Sequence, residues 1–266
     1  MAVRDGDEAM VEELLVGLSE RHRILAPLAF AVGAMAMLFN GLKLLFTNWR
    51  LTLVQALPGM WIWVAMYDLK AHVLHGKSFH VLTGPILIPI ALLMIAITAA
   101  SFLLNAVFAF AIIQPGAPEV RPAFSQTRRH IGVVLGFGAV VGAMLAFATT
   151  IVTRWGGPWF GISLSIVIAV LMVCYVAVPA RLIGGKPKMS RRDSLTVTAV
   201  GGVVGAVVCT PPYVLGRIGI LMLGSKVLLI PGIVIVTFAA VLQAGATGAV
   251  KTIKMSAKLV SPRSVN

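Results

Sequence analysis

Long apolar runs separated by short polar stretches dominate the chain. They lie at 24–46, 51–67, 84–113, 131–153, 159–180, 194–215 and 220–250. A helix of about 20 apolar residues crosses roughly 30 Å of hydrocarbon, so each run is a candidate crossing. The weakest is 51–67, which is short and holds Pro58. Lipid offers no partners to free backbone N–H and C=O groups, which leaves helices or a closed barrel. The short alternating segments of a barrel are missing. The pattern predicts an all-α, polytopic transmembrane helical bundle of six or seven spans.

The first 23 residues follow another rhythm. DEAMVEELLVGLSER, residues 7–21, places Met10, Leu14, Leu15 and Leu18 at helical spacing with carboxylates on the other faces. That is an amphipathic helix, expected to lie on the membrane surface or on a partner. Three regions follow: an acidic segment at 1–23, a transmembrane domain at 24–250 and a basic tail at 251–266.

Composition agrees with the hydrophobic pattern. Hydrophobic residues make up 59% of the 266 and charged residues 12%, against about 45–50% and 25% in soluble domains. The net charge of +13 is unevenly spread. Residues 1–20 hold one arginine against six carboxylates, a balance of −5, and the remainder holds 21 basic and 3 acidic residues, or +18. The basic residues fall between apolar runs, where they orient helices and meet anionic lipid headgroups, so no nucleic-acid partner is expected. Cys174 and Cys209 lie inside apolar runs with no metal or redox motif around them. No cleavable signal peptide is expected, since the N-terminus is acidic. The Ala/Gly/Val-rich, Arg-bearing composition points to a high-GC bacterium and its plasma membrane.

The most basic connections carry Arg121, Arg128 and Arg129, then Arg181, Lys186, Lys188, Arg191 and Arg192. With the tail's Lys251, Lys254, Lys258 and Arg263, they place these stretches and the C-terminus in the cytoplasm. Seven spans then put the N-terminus outside. Six, with 51–67 as a re-entrant or interfacial element, put it inside.

Shifting the chain by 63 residues lays RRHIGVVLGFGAVVGAM on RRDSLTVTAVGGVVGAV, with ten identities over residues 128–156. This reads as a duplicated two-helix hairpin, with units at about 122–182 and 185–250. Gly138 and Gly142, like Gly201 and Gly205, have the spacing that lets helix backbones approach closely, so the two glycine-rich helices are expected to be neighbours. The register also aligns Arg154 with Arg217, and Pro211 and Pro212 with the last turns of the preceding copy's helix. Pro211 and Pro212 therefore read as a kinked helix end, followed by an interfacial Arg217 that snorkels to the headgroups. The sharper alternative is a helix break lining a transport path.

Candidate chemistry is sparse. Asp68, His72 and His75 fall at i, i+4 and i+7 and share one helix face, with His80 five residues beyond His75 returning from the loop. A divalent metal could be held there, although a polar interfacial connection is the commoner use of such a stretch. Arg128, Arg129, Arg191, Arg192, Arg154 and Arg217 are candidates for lipid headgroup or partner contact. Asn40, Asn105, Thr149, Thr150 and Gln243 are suited to hydrogen bonds between helices. No carboxylate stands in the middle of an apolar run, and no GxSxG, Walker or HExxH motif occurs. Neither a cofactor nor an enzyme is expected.

At LPGMWIWVAMYDLKAHVLHGKSF and SRRDSLTVTAVGGVVGAVVCTPPYVLGRIGILMLG the chain resembles multipass membrane proteins of actinobacteria to which no activity attaches. The expectation that follows is a non-enzymatic membrane protein working as a subunit or accessory factor of a larger transport or envelope assembly, with membrane lipids and other membrane proteins as partners. A stand-alone transporter or channel for a small or lipid-like molecule comes second, and a metalloenzyme built on Asp68, His72 and His75 third.

Overall fold

The computed structural model describes residues 33, 35, 38–39, 41–43, 45–75, 84–114, 118–184 and 191–250. The helices labelled here are α1 (Trp49–His75), α2 (Leu87–Ile112), α3 (Val120–Arg128), α4 (Ile131–Thr150), α5 (Gly157–Gly184), α6 (Arg191–Met222) and α7 (Leu229–Ala246). Short 3-10 turns follow α4 at Val152–Trp155 and α7 at Thr247–Ala249. Among the described residues five stretches are long and apolar enough to cross a membrane: Leu87–Ile112, Ile131–Trp155, Gly157–Ile183, Gly201–Met222 and Leu229–Ala249. The chain is a multipass, all-α membrane protein. The described part has five candidate spans where the apolar runs led to an expectation of six or seven. The run at 24–46 falls largely outside the described residues, as do the acidic N-terminal segment and the basic tail.

The run at 51–67 lies inside α1, whose 27 residues include Gln55 and Asp68. A less apolar helix is tolerated because its neighbours cover it: α1 packs on α2, α5, α6 and α7, leaving Leu53, Met60, Val64 and Tyr67 as an exposed stripe. Asn48 caps α1 by accepting the Arg50 N–H on Oδ1 at 3.2 Å, and its Nδ2 donates to the Pro118 carbonyl at 3.1 Å. Trp61 meets Thr98 and Gln55 meets Asn105, so α1 and α2 run antiparallel.

Contacts along the helix pairs fix the other directions. Residues 138 and 142 of α4 face 99 and 95 of α2, and residues 201 and 205 of α6 face 177 and 173 of α5, so both pairs are antiparallel. One end of the bundle then gathers the C-termini of α2 and α5 and the N-termini of α4 and α6, with exposed Arg121, Arg128, Arg129 and Arg181. The other end carries Arg154 and Lys226, also exposed. At that end Gly156, with φ of 111°, makes the turn from α4 into α5, a conformation that side-chain-bearing residues rarely adopt.

Two expectations about helix order are corrected. The helix at 194–215 does not end at its prolines: α6 continues through Pro211, Pro212 and Arg217 to Met222, and the turn to α7 follows. Helices in membranes tolerate such prolines because neighbouring groups take over the freed backbone, and α6 is held on both sides by α5 and α7. Aligned in the 63-residue register, Arg154 therefore stands in a 3-10 turn and Arg217 inside a helix. The glycine-rich helices also face different partners rather than each other. Gly138 and Gly142 press on α2, where an added Cβ would come within 2.6 Å of the Ala99 Cα and 2.8 Å of the Ile95 Cα. Gly201 and Gly205 face Ala177 and Val173 on α5.

The short helix α3 was not anticipated from the apolar runs. It buries Ala123 and Thr127 against α2 and exposes Arg121 and Arg128. Its signal is an i, i+4 pair of small residues within a polar stretch.

Candidate functional site

Among the described residues, two systems of polar groups inside the bundle behave differently. The first centres on Asn105, buried on α2. Its Nδ2 donates to the Tyr175 carbonyl at 2.6 Å, and its Oδ1 accepts from Gln55 Nε2 at 3.0 Å and from the Thr247 hydroxyl at 2.6 Å. The Tyr175 carbonyl is available because the residue four positions later is Pro179, which has no N–H to close the helical bond. An unpaired carbonyl in hydrocarbon costs several kcal/mol, and Asn105 supplies the missing donor. One side chain thereby joins α1, α2, α5 and the turn after α7.

Further ties have the same character. Trp61 Nε1 donates to the Thr98 hydroxyl at 2.9 Å, which donates in turn to the Met94 carbonyl at 2.7 Å. The Cys209 thiol donates to the Met172 carbonyl at 3.3 Å, joining α6 to α5. Thr149 and Thr150 donate to carbonyls of their own helix, Leu145 and Ala146, local bonds that satisfy a hydroxyl within its own helix, and the Thr149 hydroxyl also lies 3.5 Å from the Met94 sulfur of α2.

The second system is Arg217. Its Cα lies five residues, about 7.5 Å of helix rise, inside the end of α6 at Met222. Helical side chains lean toward the N-terminus of their own helix, and here that direction leads deeper into the span. The guanidinium stands 5.1 Å over the ring of Tyr213, one turn further in, and Nη2 donates to the Ser165 hydroxyl of α5. Ser165 donates its own hydrogen to the Gly161 carbonyl, which leaves its oxygen free to accept. Arg217 therefore does not snorkel out to the nearer helix end, as expected for an interfacial arginine. Ser165 itself lies six residues, about 9 Å, past the exposed Trp159 at the mouth of the span. On insertion scales a charged side chain costs roughly 2.5–3.5 kcal/mol at the centre of a crossing, and Arg217 stands between the centre of its span and the end. No carboxylate pairs with Arg217 among the described residues.

The remaining candidates are dispersed. Asp68 is buried near the C-terminal part of α1; His72 and His75 continue the same helix, but their side chains lie outside the described residues, as does His80. No cluster of three metal-ligating side chains occurs among the described residues. Arg128 and Arg129 project from the end of α3 and the turn into α4, whereas Arg154 is exposed at the opposite end. Arg191 and Arg192 begin α6, with side chains outside the described set. Between α4 and α5 an apolar groove of about 730 Å³ opens on the outer surface, walled by Val140, Met144, Phe147, Trp155, Trp159 and Ile166.

No protein family, curated protein or solved structure matches this chain. The actinobacterial resemblance is supported only as far as the multipass architecture.

Proposed function

We propose that this chain is a non-enzymatic integral membrane protein that serves as a subunit or accessory factor of a larger transport or envelope assembly. The observation that carries the reading is the use made of the polar side chains within the bundle. Gln55, Asn105, Thr247, Trp61, Thr98 and Cys209 are engaged in bonds from helix to helix, so they fasten a body rather than line a path or present a base and a nucleophile. The groove between α4 and α5 offers no charge to select a solute, and its apolar walls suit a neighbouring helix or acyl chains. Native mass spectrometry of the protein, extracted gently from its own membrane, tests this: a reproducible assembly with other proteins is expected. A lone chain that supports saturable uptake into liposomes would overturn it in favour of the second reading, a transporter for a lipid-like molecule. That reading is favoured by the placement of Arg217 within a span.

Finer features belong to the same proposal. Counting α1 as a crossing makes six, and the run at 24–46 would make seven. The end bearing Arg121, Arg128, Arg129 and Arg181 is proposed to be cytoplasmic, with the C-terminus on that side of a bacterial plasma membrane. The hairpins α4–α5 and α6–α7 are proposed to descend from one duplicated unit, supported by their shared 63-residue register. Labelling with a membrane-impermeant thiol reagent at R129C and K226C, in a background lacking Cys174 and Cys209, checks the sidedness: in intact cells only the K226C position should react.

A further inference from the structure

We propose that Arg217, Ser165 and Tyr213 form a binding site, below the membrane interface between α5 and α6, for the oxyanion of an acidic amphiphile. The proposal stands whether the chain works as a subunit or alone. A guanidinium has five N–H donors. One nitrogen of Arg217 is engaged by Ser165, and no other hydrogen-bond acceptor meets the group among the described residues. Tyr213 faces the cation with its ring and helps to hold it in place without neutralising it. The side chain is half-buried rather than enclosed, so the open donors can be reached from the surrounding lipid.

The geometry selects the ligand chemistry. A planar fork of N–H groups pairs best with two oxygens of one phosphate or carboxylate. Anchoring by Ser165 from a second helix holds that fork in one orientation, which lowers the ordering needed on binding. The surroundings are apolar: Val214, Ile218 and Leu221 are exposed along α6, and Ile162 and Ile166 flank Ser165 on α5. A water-soluble anion would have to shed its hydration among these side chains, whereas an anion carried on an acyl chain brings its own apolar part to lie against them. Exposed Arg154 and Lys226 at the same end of the bundle add positive charge where such a headgroup would enter.

Two sources share this chemistry, a phospholipid headgroup and a free fatty acid, and the test separates them. The full-length protein, in a neutral detergent, is mixed with dioleoyl phosphatidylglycerol, dioleoyl phosphatidylcholine and oleate, and the ligands retained are read by native mass spectrometry. Wild type is expected to keep one phosphatidylglycerol or one oleate at an activation energy that strips phosphatidylcholine, and whichever of the two is kept names the source. R217Q is expected to weaken that retention at least tenfold. R217K keeps the charge but loses the fork and should retain an intermediate amount, and S165A, which frees the guanidinium, should lose about threefold. R121Q, exposed at the opposite end of the bundle, should retain as much as wild type. If R217Q does not fold, R217K and S165A still decide. Equal retention of phosphatidylcholine by wild type, undiminished retention in folded R217Q, or wild-type retention in both R217K and S165A overturns the site. So does a loss in R121Q as large as that in R217Q.

Discussion

The glycine-rich helices α4 and α6 share a sequence pattern yet make two different interfaces. Against α2, Gly138 and Gly142 bring backbone onto backbone: Cβ atoms there would strike the Cα atoms of Ala99 and Ile95. Against α5, a Cβ on Gly201 would find Ala177 at 3.7 Å, an ordinary contact, and one on Gly205 would find the Val173 carbonyl at 3.1 Å. The α5–α6 pair makes up for the looser fit with polar contacts, Cys209 to the Met172 carbonyl and Arg217 to Ser165, whereas a single side-chain contact, Thr149 to the Met94 sulfur at 3.5 Å, joins α2 to α4 among the described residues. A small-xxx-small motif thus permits close approach, and the partner helix decides whether the approach is used. Where it is used, dispersion between backbones suffices. Where it is not, polar groups enter the seam.

Substitutions at corresponding positions can break this contrast. The largest effect is expected from Gly142→Leu, which must push α4 off α2 and should destabilise the protein by about 3 kcal/mol or more, read as a lowered midpoint of unfolding in detergent; Gly205→Leu should cost distinctly less. Cysteines at 142 and 95 should crosslink while the pair 142 and 205 should not, and the reverse outcome would refute the helix order. Next is Asn105→Leu, which strips the Tyr175 carbonyl of its donor and leaves Gln55 and Thr247 without their acceptor. Each buried group left unpaired costs about 1–3 kcal/mol, and amide exchange near Pro179 should rise. Smaller again is Cys209→Ala, expected to cost about 1 kcal/mol and to sharpen the comparison by loosening the α5–α6 seam, with the weak 3.9 Å contact from Gln243 Nε2 of α7 to the Cys209 sulfur lost as well. The smallest is Gly201→Ala, where the added methyl meets open or ordinary contact and helix propensity favours alanine by up to about 1 kcal/mol. Its midpoint should stay level or rise slightly, while Gly138→Ala should lower it.

Much of the bundle was legible in the apolar runs, because hydrocarbon imposes both the length and the helical state on any segment that crosses it. The runs at 84–113, 131–153 and 159–180 correspond closely to α2, α4 and α5. The reading failed where a local cue pointed the wrong way. Pro211 and Pro212 suggested a helix end, but a proline removes one donor and ends a helix only if nothing else holds the chain straight; the packing of α6 on α5 and α7 holds it. The register match with Arg154 pointed the same way, but residues aligned by sequence need not share secondary structure: one stretch turns at Gly156 and the other runs on as helix. Asn105 was readable as an interhelical polar group, but its task was not, because the carbonyl it serves is exposed by a proline 74 positions later in the chain.

What the sequence determined by itself is the solvent of this protein, the lengths of its spans and the placing of most charge at their ends. These follow from composition summed over stretches of about 20 residues, and no tertiary contact is needed to state them. What only the tertiary structure decided is which glycines touch a neighbour and where the charge of Arg217 rests. Side-chain direction along α6 carries that guanidinium inward, and its acceptor, Ser165, is 52 residues away on another helix. The depth of a charge in a membrane is set by what it meets there, and that meeting is a property of packed helices rather than of any one of them.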